Sequence, residues 1–134
     1  MRQNAGFSRY NIAAFVTIVD AERAKDFYRD TLGIRLVSEE LPFALVFDAH
    51  GIMLRLAIAE KSSPHPGTVL GWQVPDITSA ARSLERAGVQ LERYEYMHQD
   101  ETGTWTSPNG ARVAWFKDPD GNVLSISEHA EAQK

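Results

Sequence analysis

With no cysteine in the chain, thiolate nucleophiles, Cys-ligated metals and disulfides are excluded. Proton transfer and metal binding would therefore fall chiefly to histidine and the carboxylates. The four histidines, His50, His65, His98 and His129, are scattered, and two of them lie in stretches of turn or linker composition. No pair has the helical or strand spacing that would bring two imidazoles to one ion, so they read as solvated surface groups. His98 with Asp100 and Glu101 is the one cluster able to act as an acid–base group. No Gly-rich phosphate loop, G-x-S-x-G elbow or H-E-x-x-H segment occurs, and no residue is assigned a catalytic role by motif.

The bounds on any site come from size and charge. A chain of 134 residues with 43% hydrophobic content makes one domain, or two small halves sharing a core. Its 14 basic and 18 acidic residues are interspersed, so the net charge of −4 comes without a basic stripe for a phosphate backbone or an anionic bilayer. Neither nucleic acid nor membrane is an expected partner. The opening residues MRQNAGFSRYN lack an apolar h-region, and no apolar run approaches membrane-spanning length. A cytoplasmic location is the default expectation, and the lack of cysteine suits a reducing compartment.

The elements that would position a site recur in a fixed order. Residues 11–19 (NIAAFVTIV) predict a central strand. Asp20 is a good N-cap, Ala24, Phe27, Tyr28, Thr31 and Leu32 recur at helical spacing, and Gly33 supplies a left-handed cap; a helix over 21–32 follows. Strands are expected at 34–40, 43–48 and 52–58, and residues 61–67 (KSSPHPG) form a linker. The order then repeats: a strand at 69–74, Asp76 as N-cap, an apolar stripe from Ile77 to Ala87 and Gly88 as C-cap. A strand is expected at 91–97, then a long polar loop at 98–110 carrying Trp105. Asp118-Pro119-Asp120-Gly121 has the composition of a type I turn with a following left-handed residue, and it closes a hairpin between 112–117 and 122–127. The expected architecture is α+β: two βαβββ modules, 11–60 and 68–129, forming a curved mixed sheet with helices on the outer face, within one domain spanning 1–134.

The duplicated unit, Phe27-Tyr28, Leu32-Gly33 and Phe116-Lys117-Asp118-Pro119-Asp120-Gly121-Asn122 together resemble the vicinal oxygen chelate superfamily. That group includes glyoxalase I, extradiol dioxygenases, fosfomycin-resistance enzymes and bleomycin-resistance proteins. The resemblance implies the fold and commonly a homodimer, but the fold hosts several chemistries and also pure binders. In the family's metalloenzymes each module donates ligands from its first and last strands. Carried over by motif spacing, those positions are Ala13, Arg55, Val69 and Ser125, and a register one residue off gives Ala14, Leu54, Leu70 and Leu124. Neither set offers imidazole or carboxylate donors, so no metal ligands and no divalent cofactor are expected.

If those four residues face a cavity, alternation sends Phe15, Thr17, Met53, Ala57, Gly71, Gln73, Val123 and Ser127 to the same side. The opposite set, Val16, Ile18, Leu54, Leu56, Leu70, Trp72, Leu124 and Ile126, is apolar, as a helix-covered face must be, and Trp72 is expected in the core. Candidate ligand-binding residues are Phe15, Thr17, Met53, Arg55, Gln73, Trp105, Ser125 and Ser127. Arg55 either fixes an acidic group or is neutralised by a nearby carboxylate. Trp105 is a lid or packs on its own sheet. Trp115, Tyr94 and Tyr96 line the pocket or fill the core, with the core favoured. The function this implies is a glyoxalase/bleomycin-resistance-like protein binding a small, partly apolar organic molecule without a metal. The alternative is a glyoxalase-like lyase or isomerase, or a dioxygenase-related enzyme, using a divalent metal or a metal-independent acid–base site.

Overall fold

The computed structural model describes residues 3–129; residues 1–2 and 130–134 lie outside the described part. The first module runs β1 (Ala13–Ile18), α1 (Ala21–Lys25), β2 (Arg35–Glu40), β3 (Ala44–Ala49) and β4 (Ile52–Ile58). The second runs β5 (Thr68–Gln73), α2 (Ile77–Arg86), β6 (Trp105–Thr106), β7 (Arg112–Lys117) and β8 (Val123–Glu128). Each forms a four-stranded mixed sheet, ordered β1-β4-β3-β2 and β5-β8-β7-β6, with a parallel pair at one edge and antiparallel pairs elsewhere. Two βαβββ modules of an α+β fold are thus present as expected. Among the described residues no helix is long and apolar enough to cross a membrane.

Both helices begin by the same chemistry. The Asp20 side chain accepts from the Arg23 N–H at 3.1 Å and Asp76 from the Ser79 N–H at 3.1 Å, satisfying donors that a helix start leaves unpaired. The helix expected over 21–32 is not uniform: after α1 it widens to a π-helical stretch, Asp26–Thr31. That wider turn carries Tyr28, which is fully buried and donates its hydroxyl to Asp118 across the module boundary. Gly33, at φ 77°, then takes the left-handed geometry that ends the segment.

The repeat extends to register. Phe15 lies five residues before Asp20 and pairs with Arg55; Gly71 lies five before Asp76 and pairs with Ser125. In both sheets the helix-facing side is apolar. Val16, Ile18, Leu54 and Leu56 from the first merge with Ala114, Phe116, Leu124 and Ile126 from the second and with Ile77 and Ala81 of α2 in one contiguous core. Each fully buried leucine there contributes about 1.5–3 kcal/mol relative to exposure. Trp72 joins this core as expected, stacked on Phe116 with ring centroids 6.3 Å apart.

The Asp-Pro-Asp-Gly-Asn turn ties the modules together. The Asn122 side-chain amide donates to the Thr17 carbonyl at 2.8 Å, and the Val19 N–H donates to Asp120 Oδ1 at 3.0 Å. Burial raises the Asp120 carboxyl above its ordinary range, and the charge of Asp118 adds to that against the Val19 N–H bond. Gly121 closes the turn at φ 86°, as its position after Asp120 requires.

The strand expected at 91–97 does not form. A side chain does what a neighbouring strand would have done: Gln99 Oε1 accepts from the Tyr94 N–H at 2.8 Å, and Gln99 Nε2 donates to the carbonyls of Glu92 and Gly103. With its backbone groups taken by Gln99, the segment joins β7 through a Glu92 N–H bond to the Trp115 carbonyl and continues as irregular structure. Gln99→Ala leaves these half-buried groups without partners and is expected to destabilise the protein by about 2 kcal/mol. Urea denaturation measures the loss, and hydrogen exchange at the Tyr94 amide should accelerate with it.

Candidate functional site

The sheet faces turned away from the core carry the residues singled out in the sequence. On the first sheet, Phe15 of β1, Arg55 of β4 and Val46 of β3 form one cross-strand row. Arg55 is half-buried and extends over the strands to Glu40, with Nη1 2.9 Å from Oε1. Of the two roles open to Arg55, its neutralisation by a carboxylate is the one with a visible partner. Phe15 is 63% exposed and Met53 49%, so this face holds bulky apolar groups in the open.

On the second sheet, the equivalent row is Gly71, Ser125 and Trp115. A Cβ built at Gly71 would lie 2.5 Å from Ser125 Oγ, so the absence of a side chain is what lets the serine hydroxyl occupy the space between strands. Val69 falls in a register break between Thr68 and Leu70, which leaves Gly71 rather than Leu70 opposite Ser125. Gly71→Ala is expected to cost about 0.5–1.5 kcal/mol, since Ser125 Oγ must leave its rotamer to clear the added Cβ. In a Ser125→Ala background most of that cost should disappear, because the colliding hydroxyl is gone; additivity of the two changes in denaturation midpoints would rule out the contact.

Trp115 shares the face of Ser125 and is therefore directed away from the core, the reverse of what was favoured. It anchors an aromatic wall. Tyr94 meets its edge at 5.7 Å, Tyr96 lies 5.8 Å from Tyr94, and Trp105 lies 6.1 Å from Trp115. The Trp115 indole N–H donates to Thr68 Oγ1 at 3.2 Å, which fixes the ring's direction. Tyr94 and Tyr96 escaped the core because residues 91–97 are not a strand with a buried face. Trp105 packs on its own sheet, pairing through β6 with Val113. The crowding of aromatics between 94 and 115 was the available sequence signal for this wall.

Two cavities open beside these rows. One of about 180 Å³ is lined by Tyr94, Tyr96, Trp115 and Val123 against residues 66–68. The other, about 270 Å³, is lined by Phe15, Thr17, Val69 and Asn122 against residues 61–65. The structure therefore divides the candidate ligand-binding residues: Phe15, Met53 and Arg55 lie together on the first sheet, Ser125 beside Trp115 and Trp105 on the second, and Thr17 in the cavity with Phe15. Ser127 lies next along β8, its hydroxyl 3.1 Å from His129 Nε2. Gln73, the last residue of β5, pairs with Ser127 and so shares its face, while residues 72–74 also border a separate cavity on the helix-bearing side.

Of the acid–base cluster around His98, Asp100 is committed to loop structure. Asp100 Oδ1 accepts from the Thr102 N–H, the Thr102 hydroxyl and the Thr104 N–H at 2.7–2.9 Å. Burial alone would raise its carboxyl, but these bonds and the charge of Arg112 outweigh burial and hold it below the ordinary range. Asp100 is thus held as an anion, not poised to donate a proton. The residues at the family's ligand positions do not fit a divalent ion, since Ala, Arg, Val and Ser supply neither imidazole nor carboxylate. Among the described residues, no three His, Asp or Glu side chains are grouped to hold one.

Comparison with known proteins agrees with this architecture. Solved structures similar to the chain include lactoylglutathione lyase from Agrobacterium tumefaciens, at TM-score 0.70 and 19% identity over 90% of this chain and 93% of that one. A member of the glyoxalase/bleomycin resistance protein/dioxygenase superfamily from Sphaerobacter thermophilus aligns at TM-score 0.68 and 26% identity, over 90% and 97% of the two chains. A glyoxalase family protein from Enterococcus faecalis gives TM-score 0.71 at 19% identity, covering 91% and 99%. Among curated proteins none matches the chain in sequence. The family model for the Glyoxalase/Bleomycin resistance protein/Dioxygenase superfamily matches residues 11–126, which takes in both modules and the Asp-Pro-Asp-Gly-Asn turn; the chain belongs to that superfamily.

Proposed function

We propose that the protein binds a small, partly apolar organic molecule on the open faces of its sheets and does so without a divalent metal. The observation that carries this is the row Gly71–Ser125–Trp115: where the resemblance places a metal ligand stands a hydroxyl, filling the space that Gly71 leaves, beside an aromatic wall. Aromatic faces with a few polar groups suit a planar organic ligand. Phe15, Thr17, Met53, Arg55, Gln73, Trp105, Ser125 and Ser127 are the residues assigned to it. Arg55 would take an acidic group in exchange for Glu40, whose side chain is 49% exposed and gains little from the pairing.

The test combines two measurements on protein purified without chelator. Elemental analysis should find no stoichiometric nickel, zinc or iron, and a thermal-shift screen of small aromatic carboxylic compounds should raise the melting temperature in a saturable way. Stoichiometric metal on which binding or turnover depends would overturn the reading. We assign the protein to the cytoplasm, in keeping with its lack of cysteine. We also assign it a homodimeric state, because Phe15 and Met53 leave an exposed apolar patch on adjacent strands. Light scattering should then report twice the chain mass.

A further inference from the structure

Away from the open faces, a cavity of about 420 Å³ lies between the modules on the helix-bearing side. Its walls are the end of the first module's helical segment, at Thr31 and Leu32, and the Ser83 and Leu84 turn of α2. Trp72 and the fully buried Phe116 both line it, with their rings 6.3 Å apart and within 20° of parallel. The cavity exists because each helix covers its own sheet. On α2, small side chains at Ala80 and Ser83 stand where larger ones would have filled the seam.

We infer that this cavity is a second ligand site, for a neutral, flat, ring-containing molecule. Three properties specify that chemistry. The volume lies in the range of small-molecule sites, and Trp72 packed with Phe116 offers an aromatic surface on which a ring can stack. None of the lining residues carries a charge, so an ionic ligand would lose its hydration with no counter-ion. Thr31 and Ser83 supply hydroxyls, enough to orient one or two hydrogen-bonding groups on an otherwise apolar ring. The site is independent of the one proposed above, because the strand faces that meet here are those of Trp72, Phe116 and Ile126, opposite to Ser125 and Trp115.

The neutral fluorophore N-phenylnaphthylamine tests this on the intact chain. It should bind saturably with one site per chain. Ser83→Phe and Ala80→Leu, which fill the cavity from α2, should each weaken it about tenfold or more, with circular dichroism and melting temperature confirming the fold. Where either variant fails to fold, amide chemical shifts of the wild type decide: changes centred on Thr31, Leu32, Ser83 and Leu84 support the site. Changes centred on Ser125 and Trp115, an absence of saturable binding, or full affinity in folded filling variants would overturn it. Failure here leaves the open-face screen untouched, since that screen uses anionic aromatic compounds and reads a different set of amides.

Discussion

Asp118→Ala is expected to lower the stability of the protein by about 3–5 kcal/mol, a large share of what a domain of this size has to lose. Asp118 is 5% exposed, and its two oxygens accept from four donors. Oδ2 takes the Tyr28 hydroxyl at 2.8 Å and the Asn122 side-chain amide at 2.9 Å, while Oδ1 takes the Asp120 and Asn122 backbone N–H groups at 2.9 Å each. Alanine strands all four. Tyr28 and Asn122 are themselves buried, so water cannot readily replace the carboxylate, and each orphaned group costs about 1–3 kcal/mol. The effect also crosses the module boundary, because Tyr28 belongs to the first module and Asp118 to the second. Urea denaturation followed by tryptophan fluorescence measures the loss. A change below about 1 kcal/mol would mean that the turn is held by its local backbone geometry alone. Asp118→Asn should fall between the two, since its amide keeps one acceptor oxygen but turns a donor toward the remaining N–H or O–H partners.

Trp115→Ala is expected to weaken binding of an aromatic carboxylic compound at the open face by about tenfold or more, equivalent to about 1.4 kcal/mol. The ring is the centre of the aromatic wall, in edge contact with Tyr94 and tilted against Trp105, and it stands directly beside Ser125. Removing it takes away the ligand's stacking surface and loosens both neighbours at once. Trp115→Phe separates the two contributions: it keeps a ring but loses the N–H bond to Thr68. It should therefore retain most of the affinity. Titration calorimetry with a compound found by thermal shift gives the answer, and equal affinity in wild type and Trp115→Ala would remove the second sheet from the site.

Much of the fold was legible because its signals are local. Capping by Asp20 and Asp76, the left-handed glycines and the Asp-Pro-Asp-Gly turn each depend on a few consecutive residues, and all appear where expected. Alternation along β1, β4, β5 and β8 placed the apolar set in the core for the same reason: a strand's period of two is written into its own residues. The segment at 91–97 was misread because Gln99 offers its amide to that backbone, and nothing in a strand-like run of residues announces a side chain about to replace its partner strand. The facing of Trp115, Tyr94 and Tyr96 was lost with it.

By itself, then, the sequence determined the two βαβββ modules with their turns and caps. These follow from residue chemistry and from periodicities that need no partner. The tertiary structure alone decided that Arg55 meets Glu40, that Gly71 makes room for Ser125, and that four aromatic rings gather on the open face. It alone decided that Asp118 is held by Tyr28 from the other module. Each of these joins residues distant along the chain, and such contacts depend on strand register and packing between modules, which no local pattern encodes.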